Sequence, residues 1–503
     1  MGDTNAHIDF AELDKKPNIL WICTDSQRYD TLGCYGNPFV RTPNIDKLAE
    51  RGVLFENVFS QNPLCTPSRV SFLTGRYPIT TGLRQNGQNV KPTEKLVTRL
   101  LADEGYVCGL SGKLHLSACD HRLANFREAG AWKGKDENYY FRGVEQRIDD
   151  GYSEFHWDHH PGHPSPSSGY TRWLQDRGQT YSTPRRDDSS FVLHGMPDEH
   201  HQTTFCIEKA IGFIKAYKGS PYPWLFSINM FAPHFPFNPP DEFFERYLPF
   251  LDDIPLPSCR EGELDGKPPY QKKFAYEGPF APDKMTGRDH RMVKAAYWAM
   301  VDHIDHQVGH LLQALEESGQ ADNTIVIFTS DHGELLGDHS IYKKGPFMYD
   351  GAMKVPLIIS YPAAIEGGRR SSALVELADL APTILDMAGL PRYPAMQTRS
   401  IWPYMLQKGE LGAFRDDIYS EFYNSNPNDP KQYCTMVRTD RYKLVAWHGQ
   451  QLGELYDLEA DSRELNNLWD SPGHAAVKCA MLQRLCDRMA MTTDPLPHRL
   501  GYF

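Results

Sequence analysis

Two apolar runs of strand length, each ending in a carboxylate, constrain this chain more than any other feature. Residues 18–24 run into Asp25, and residues 324–330 run into Asp331. Neither run alternates apolar with polar side chains, so each reads as a strand buried on both faces, as in helix-covered sheets. In open α/β sheets, ligand groups collect at the carboxyl ends of the strands, where both acids stand. An aspartate closing a strand also serves as a turn or helix cap. Two carboxylates brought to one sheet edge would repel strongly unless a cation lay between them. Residues 106–110, 224–230 and 355–359 add further buried strands, and the fold class is α/β.

The chain has 503 residues, more than one ordinary core holds, so a large domain and a smaller one are expected. Hydrophobic residues at 40% and charged residues at 23% are those of a globular protein. The balance of 53 basic against 65 acidic residues, with no basic run, gives no nucleic acid or anionic lipid partner. No segment approaches the roughly 18 apolar residues of a membrane span. The polar, acidic start, residues 1–16, lacks the apolar core of a signal peptide. Ten scattered cysteines, paired closely only at Cys479 and Cys486, read as reduced thiols, and a cytoplasmic location is the expectation.

Between the two acids lies Cys65-Thr66-Pro67-Ser68-Arg69. Pro67 suits the first position of a helix and Thr66 its N-cap, which puts Cys65 at the helix mouth. Free amides and the positive dipole end make such a mouth an anion site, and Arg69 offers a guanidinium to an oxyanion or a carboxylate. A buried structural cysteine before an ordinary helix is the alternative.

With Leu73-Thr74-Gly75-Arg76 after it, the pentapeptide resembles the signature of the sulfatase family. In that family the cysteine is oxidised to formylglycine, whose hydrate is the nucleophile, so the resemblance implies a formylglycine-generating or sulfatase-maturing enzyme as a partner. It also implies a divalent metal held by Asp25, Asp331, His332 and the modified Cys65. Ser26 departs from the pattern, which carries a second Asp there, or Gln in phosphonate monoester hydrolases; a hydroxyl is a weaker, neutral ligand, and water or Gln27 is the alternative. Oxygen-rich ligands favour Ca²⁺, with Mg²⁺ or Mn²⁺ as alternatives, and His332 raises the case for a transition metal.

Gly112-Lys113-Leu114-His115 resembles the family's Gly-Lys-x-His, and on extended backbone Lys113 and His115 would point to one side. Phosphonate monoester hydrolases carry hydroxyl residues there instead. Pro233-His234-Phe235-Pro236 fixes one histidine between prolines at a strand end. Lys344 resembles the lysine that reaches the sulfate, with Lys343 as its alternative. The resemblance implies that Arg69 and the metal hold the nucleophile, that His234 or Lys344 protonates the leaving alcohol, and that His115 deprotonates the second hydroxyl.

Two irregular inserts are expected, at about 120–200 and 241–288. The first carries His156, His159, His160 and His163, read as a loop rim that selects the alcohol rather than as a zinc site. Residues 292–317 form a long helix whose His303, His306 and His310 receive no role. Beyond about 409, short strands at 418–423, 433–438, 442–446 and 454–458 suggest an antiparallel sheet, followed by a helix at 475–489. The resemblance spans residues 18–468 and implies a large mixed β-sheet sandwiched by helices, of alkaline-phosphatase type, over residues 1–409. A smaller C-terminal α+β domain follows, residues 410–503. The implied reaction is hydrolysis of a small-molecule organic sulfate, aryl or other. The alternatives are a phosphonate monoester or phosphodiester hydrolase and a non-catalytic anion-binding protein with unmodified Cys65. By analogy alone, the chain forms a homo-oligomer.

Overall fold

A computed structural model describes residues 16–119, 145–163, 165, 167–425 and 431–496. Its main sheet has eight strands: β1 (Asn18–Asp25), β2 (Val53–Phe59), β3 (Val107–Gly112), β4 (Tyr152–Trp157), β5 (Trp224–Pro233), β6 (Thr324–Ser330), β7 (Lys354–Ser360) and β8 (Arg369–Glu376). They lie in the order β4-β3-β5-β1-β6-β7-β2-β8. All run parallel except β7, which is antiparallel to both neighbours.

β1 and β6 are adjacent at the centre, with Thr24 beside Ser330, so Asp25 and Asp331 leave the same edge together. Every residue of both strands is buried. Alternate side chains of β1 enter opposite layers: Leu20 and Ile22 pack with the helices Gln202–Ala216 and Gly287–Glu317. Ile19, Trp21 and Cys23 pack with Cys65–Thr74, Val97–Asp103 and Leu380–Met387. Burial on both faces explains why these strands read as continuous apolar runs.

The second sheet is an antiparallel meander of β9 (Ile418–Tyr423), β10 (Tyr433–Arg438), β11 (Tyr442–Trp447) and β12 (Leu452–Asp457). One face meets Phe59, Met353 and Leu374 of the large sheet's side, and the other is covered by the helix Ala475–Met491 through Met481 and Leu485. Arg415 and Arg488 both pair with the buried Glu376 at the seam.

Several expectations are corrected. The stretch about 120–200 contains β4, an edge strand parallel to β3. Its described part is therefore only partly irregular; residues 120–144 lie outside the described residues. The second insert carries the helix Pro269–Glu277. The long helix begins at Gly287, five residues earlier than residue 292, because Thr286 and Asp289 form a reciprocal capping box. Among the described residues no helix is long and apolar enough to cross a membrane. All ten cysteines are free thiols.

Candidate active site

The Cys65 helix starts two residues before the expected Pro67. Its N-cap is Leu64, and Ser68 N donates to the Leu64 carbonyl at 3.0 Å. Thr66 is therefore inside the first turn, where its amide donates to Asn86 Oδ1 at 3.0 Å. Asn62 Oδ1 takes the Leu64 amide, so side chains from outside the helix satisfy two of the donors at its start. Gly75, at φ 66°, closes the helix in the left-handed conformation that glycine adopts without strain.

Arg69 crosses beneath the two carboxylates. Its Nε and Nη2 each lie 2.9 Å from Asp331 Oδ2, Nη2 lies 3.5 Å from Asp25 Oδ2, and Nη1 donates to the Lys113 carbonyl at 2.8 Å. Lys113 Nζ donates to Asp25 Oδ2 at 2.6 Å. Lys344 Nζ stands 3.0 Å from Ser26 Oγ, 3.1 Å from His332 Nε2 and 3.4 Å from Cys65 Sγ. Lys343 instead lies over the rings of Phe235 and Phe280. Of the two lysines, Lys344 is the one at the thiol.

One ligand atom from each of Asp25, Cys65, Asp331 and His332 lies within 4.8 Å of the other three, and all four residues are buried. His332 Nδ1 donates to the Gly333 carbonyl at 2.8 Å, which turns Nε2 into this cluster, where its lone pair would serve a cation once the ring is deprotonated. Ser26 Oγ donates to Asp25 Oδ1 at 2.9 Å. Ser26 holds φ 66°, a strained conformation for a residue with a Cβ. Its amide donates to Asp331 Oδ1 and its carbonyl accepts from Tyr297 Oη, which together hold it there.

The charges are arranged against burial. Burial raises the Asp25 carboxyl, but Lys113, Lys344, His234 and Arg69 outweigh it and hold that carboxyl well below its ordinary range. Asp331 is pushed up, by burial and by Asp25. Burial and Asp25 raise the Cys65 thiol, yet Lys113, Lys344 and His332 win and bring it down to about 5. A divalent cation fits this donor set. It would relieve the repulsion between the carboxylates, and a neutral imidazole and a thiol position complete its surroundings.

Lys113 and His115 reach the site by a different route from the one expected. β3 ends at Gly112, and His115 has φ 58°, so a left-handed turn and not an extended segment brings them in. Burial, Lys113 and Arg69 push the His115 imidazole well below its usual range, and its Nδ1 has no hydrogen-bond partner among the described residues. His234, depressed by burial and Lys344, turns Nδ1 to the Phe235 carbonyl and packs on Phe231 with centroids 4.6 Å apart. The ring of His159 meets His115 edge-on at 4.5 Å, which places the histidine-rich loop directly against the site.

One residue escaped sequence reasoning. Glu145, buried, accepts from the amides of His115 and Leu116 at 3.0 and 2.8 Å, from Ser117 Oγ at 3.1 Å and from Trp157 Nε1 at 3.3 Å. It anchors the turn carrying His115 to the end of β4. No motif marks it, since a lone glutamate beside an irregular stretch carries no spacing signal.

Comparison with known proteins adds the family context. Residues 17–390 match the family model described as Sulfatase, and residues 337–491 match the N-sulphoglucosamine sulphohydrolase C-terminal model. An arylsulfatase of Clostridium perfringens is 28% identical over 475 residues, covering 91% of each chain. An N-acetylglucosamine-6-O-sulfatase of Bacteroides thetaiotaomicron is 27% identical, covering 97% of this chain and 88% of the relative. The crystal structure of the phosphonate monoester hydrolase of Agrobacterium radiobacter superposes with a TM-score of 0.81 at 25% identity, over 97% of this chain and 98% of that one.

Proposed function

The chain belongs to the sulfatase family and is a sulfuric ester hydrolase, and from that premise we propose that it cleaves sulfate monoesters with a formylglycine made from Cys65 and a divalent cation held by Asp25, Asp331 and His332. The observation that carries this reading is the position of Cys65 Sγ, 3.2 Å from His332 Nε2 and inside a cage of two carboxylates and three cationic side chains. When present, the cation and the hydrated aldehyde supply an ionised hydroxyl for attack on sulfur and a second hydroxyl on the same carbon for release of sulfate.

The chain's own residues do the rest. Arg69 locks both carboxylates in one orientation, so the cation site is set before substrate arrives. Lys113 and Lys344 bring positive charge to the nucleophile from two sides and would stabilise the equatorial oxygens of the transferring group. His115, kept neutral by burial and the surrounding cations, is assigned to take a proton, and Lys344, or His234 once protonated, to give one to the leaving alcohol. Ser26 lends a hydroxyl next to Asp25, and we assign it to orienting Lys344 or to weak ligation. Ca²⁺ is the favoured ion, because oxygen donors outnumber the one imidazole.

A second reading rests on the fold likeness to the phosphonate monoester hydrolase, which makes aryl phosphonates the competing substrate class. Lys113 and His115 favour the sulfate ester. Matured protein assayed side by side on an aryl sulfate and an aryl phosphonate decides between them: faster sulfate turnover, abolished by a chelator and restored by Ca²⁺, is expected. Faster phosphonate turnover would reverse the assignment.

A further inference from the structure

Lys344 meets the thiol from the far arm of the loop between β6 and β7, and the backbone of that loop is strained. Leu336, Gly337, His339, Ser340 and Lys343 hold φ of 52°, 91°, 57°, 61° and 68°. All but the glycine carry a Cβ in the left-handed region, and such a path persists only where surrounding groups over-determine it. Lys343 directly precedes Lys344, so its left-handed turn sets the direction in which the Lys344 side chain leaves the backbone.

One side chain holds that turn. Glu334 is buried, and its Oε1 accepts from the Leu336 amide at 3.2 Å and from the Lys343 amide. The Lys343 carbonyl in turn accepts from the Leu335 amide at 3.2 Å. Lys343 is thus pinned through both its N–H and its C=O to the departing arm of the loop. Arg28 braces the same arm: its Nη1 donates to the carbonyls of Glu334 and Leu335 at 3.1 and 3.0 Å and lies 2.8 Å from Asp338 Oδ2. Asp30 fixes that guanidinium, accepting from Nε and Nη2 at 2.8 and 2.7 Å. Because Arg28 follows Asp25 closely in the chain, the base of the lysine loop is tied to the segment that leaves β1.

We propose that Glu334 is the positioning residue of Lys344: by holding Lys343 in its left-handed turn, it aims the Lys344 ammonium at the Cys65 position, and it acts as a hydrogen-bond acceptor rather than as a charge. Its hydrogen-bond partners among the described residues are the two backbone amides, so its influence on the reaction passes through the loop. The inference rests on the reading of Cys65 as the nucleophile position, and one arm of its test therefore does not need turnover.

Matured wild type, Glu334→Gln, Glu334→Asp and Glu334→Ala are compared for kcat on an aryl sulfate. The same four proteins, made without maturation, are compared for the rate at which iodoacetamide alkylates Cys65 at pH 6. Glutamine keeps an oxygen within reach of both amides and should stay within about threefold of wild type in both assays. Aspartate keeps the charge but shortens the reach. Like alanine, it should lower kcat by about tenfold to a hundredfold. Both should also slow alkylation by about threefold or more, toward the rate of Lys344→Ala, because the ammonium no longer faces the sulfur. Wild-type rates in Glu334→Asp, or losses in Glu334→Gln equal to those in Glu334→Ala, would overturn the proposal. So would a lowered Tm in Glu334→Ala with kcat and alkylation unchanged, which marks a structural role alone. If matured wild type turns over no aryl sulfate, the reading of function fails, while the alkylation rates still decide the role of Glu334.

Discussion

Cys65 Sγ and His332 Nε2 lie 3.2 Å apart, and Lys344 Nζ approaches the same sulfur at 3.4 Å. The unmodified residue is thus a thiol among cations, with Lys113 adding to them through Asp25. Burial and Asp25 oppose ionisation, and the cations prevail, so the thiol titrates at about 5. Protein made without maturation should therefore be alkylated by iodoacetamide with a rate that rises through about pH 5 and is flat by pH 7. Lys113→Ala should move that midpoint upward. A wild-type midpoint near an ordinary thiol value would mean that the cations do not face the sulfur.

The two neighbouring lysines should separate cleanly. Lys344→Ala removes a cation from beside Cys65, the proposed nucleophile position, and is expected to lower kcat on an aryl sulfate by about 10²–10³-fold, the usual cost of losing one preorganised donor. Lys343→Ala, which loses only its position over Phe235 and Phe280, should stay within a few-fold of wild type. Equal losses in the two variants would remove the distinction drawn from the geometry.

Glu145 predicts a positioning effect. In Glu145→Gln an amide NH₂ replaces an oxygen that accepts from backbone and indole donors, leaving a buried donor facing donors at a cost of about 1–3 kcal/mol. Tm should fall, and kcat should fall by about tenfold or more with little change in KM, because the turn holding His115 loses its anchor. Wild-type kcat in a variant with lowered Tm would reduce Glu145 to a structural role.

The seam between the sheets makes a stability prediction. Arg415 Nη1 pairs with Glu376 at 2.8 Å and Nη2 reaches Asp379 Oδ1 at 2.7 Å, all buried. Burial raises the Glu376 carboxyl, and Arg488 and Arg415 bring it down to about 2, so its contribution is fully present above about pH 4.5 and is lost as pH falls toward 2. Arg415→Ala strands the buried Asp379 carboxylate, leaves Glu376 to Arg488 alone, and should cost about 3–5 kcal/mol at pH 7. In that variant protonation relieves the stranded charge, so denaturant melts should show the deficit narrowing on going from pH 7 to pH 5. A deficit independent of pH would indicate lost packing alone.

The central strands and their acids were legible because burial on both faces leaves no polar alternation, and the C-terminal meander because its short strands are separated by turns. β4 was missed for the opposite reason. An edge strand with exposed Ser153 and half-buried Glu154 and His156 carries no apolar run. Lys113 and His115 were expected on extended backbone, and the left-handed turn at His115 went unread, since nothing local announces a left-handed histidine. Glu145 and the start of the Cys65 helix depend on partners far along the chain, Asn86 among them, and spacing alone cannot reveal such pairings.

The single reversed strand of the main sheet bears on how this site could be altered. Since β7 runs against β6, the segment from Asp331 to Met353 leaves the catalytic edge and returns to it without crossing the sheet. Asp331 and His332 sit at its departure, fixed by β6, whereas Lys344 lies well along it. Lengthening or shortening the stretch between Glu334 and Lys343 would re-aim the lysine while leaving the carboxylate pair in register. On the proposed mechanism, the direction from which this lysine meets the transferred group is therefore adjustable within one loop while both carboxylates stay at their strand ends, an opening for redesigning leaving-group or oxyanion preference.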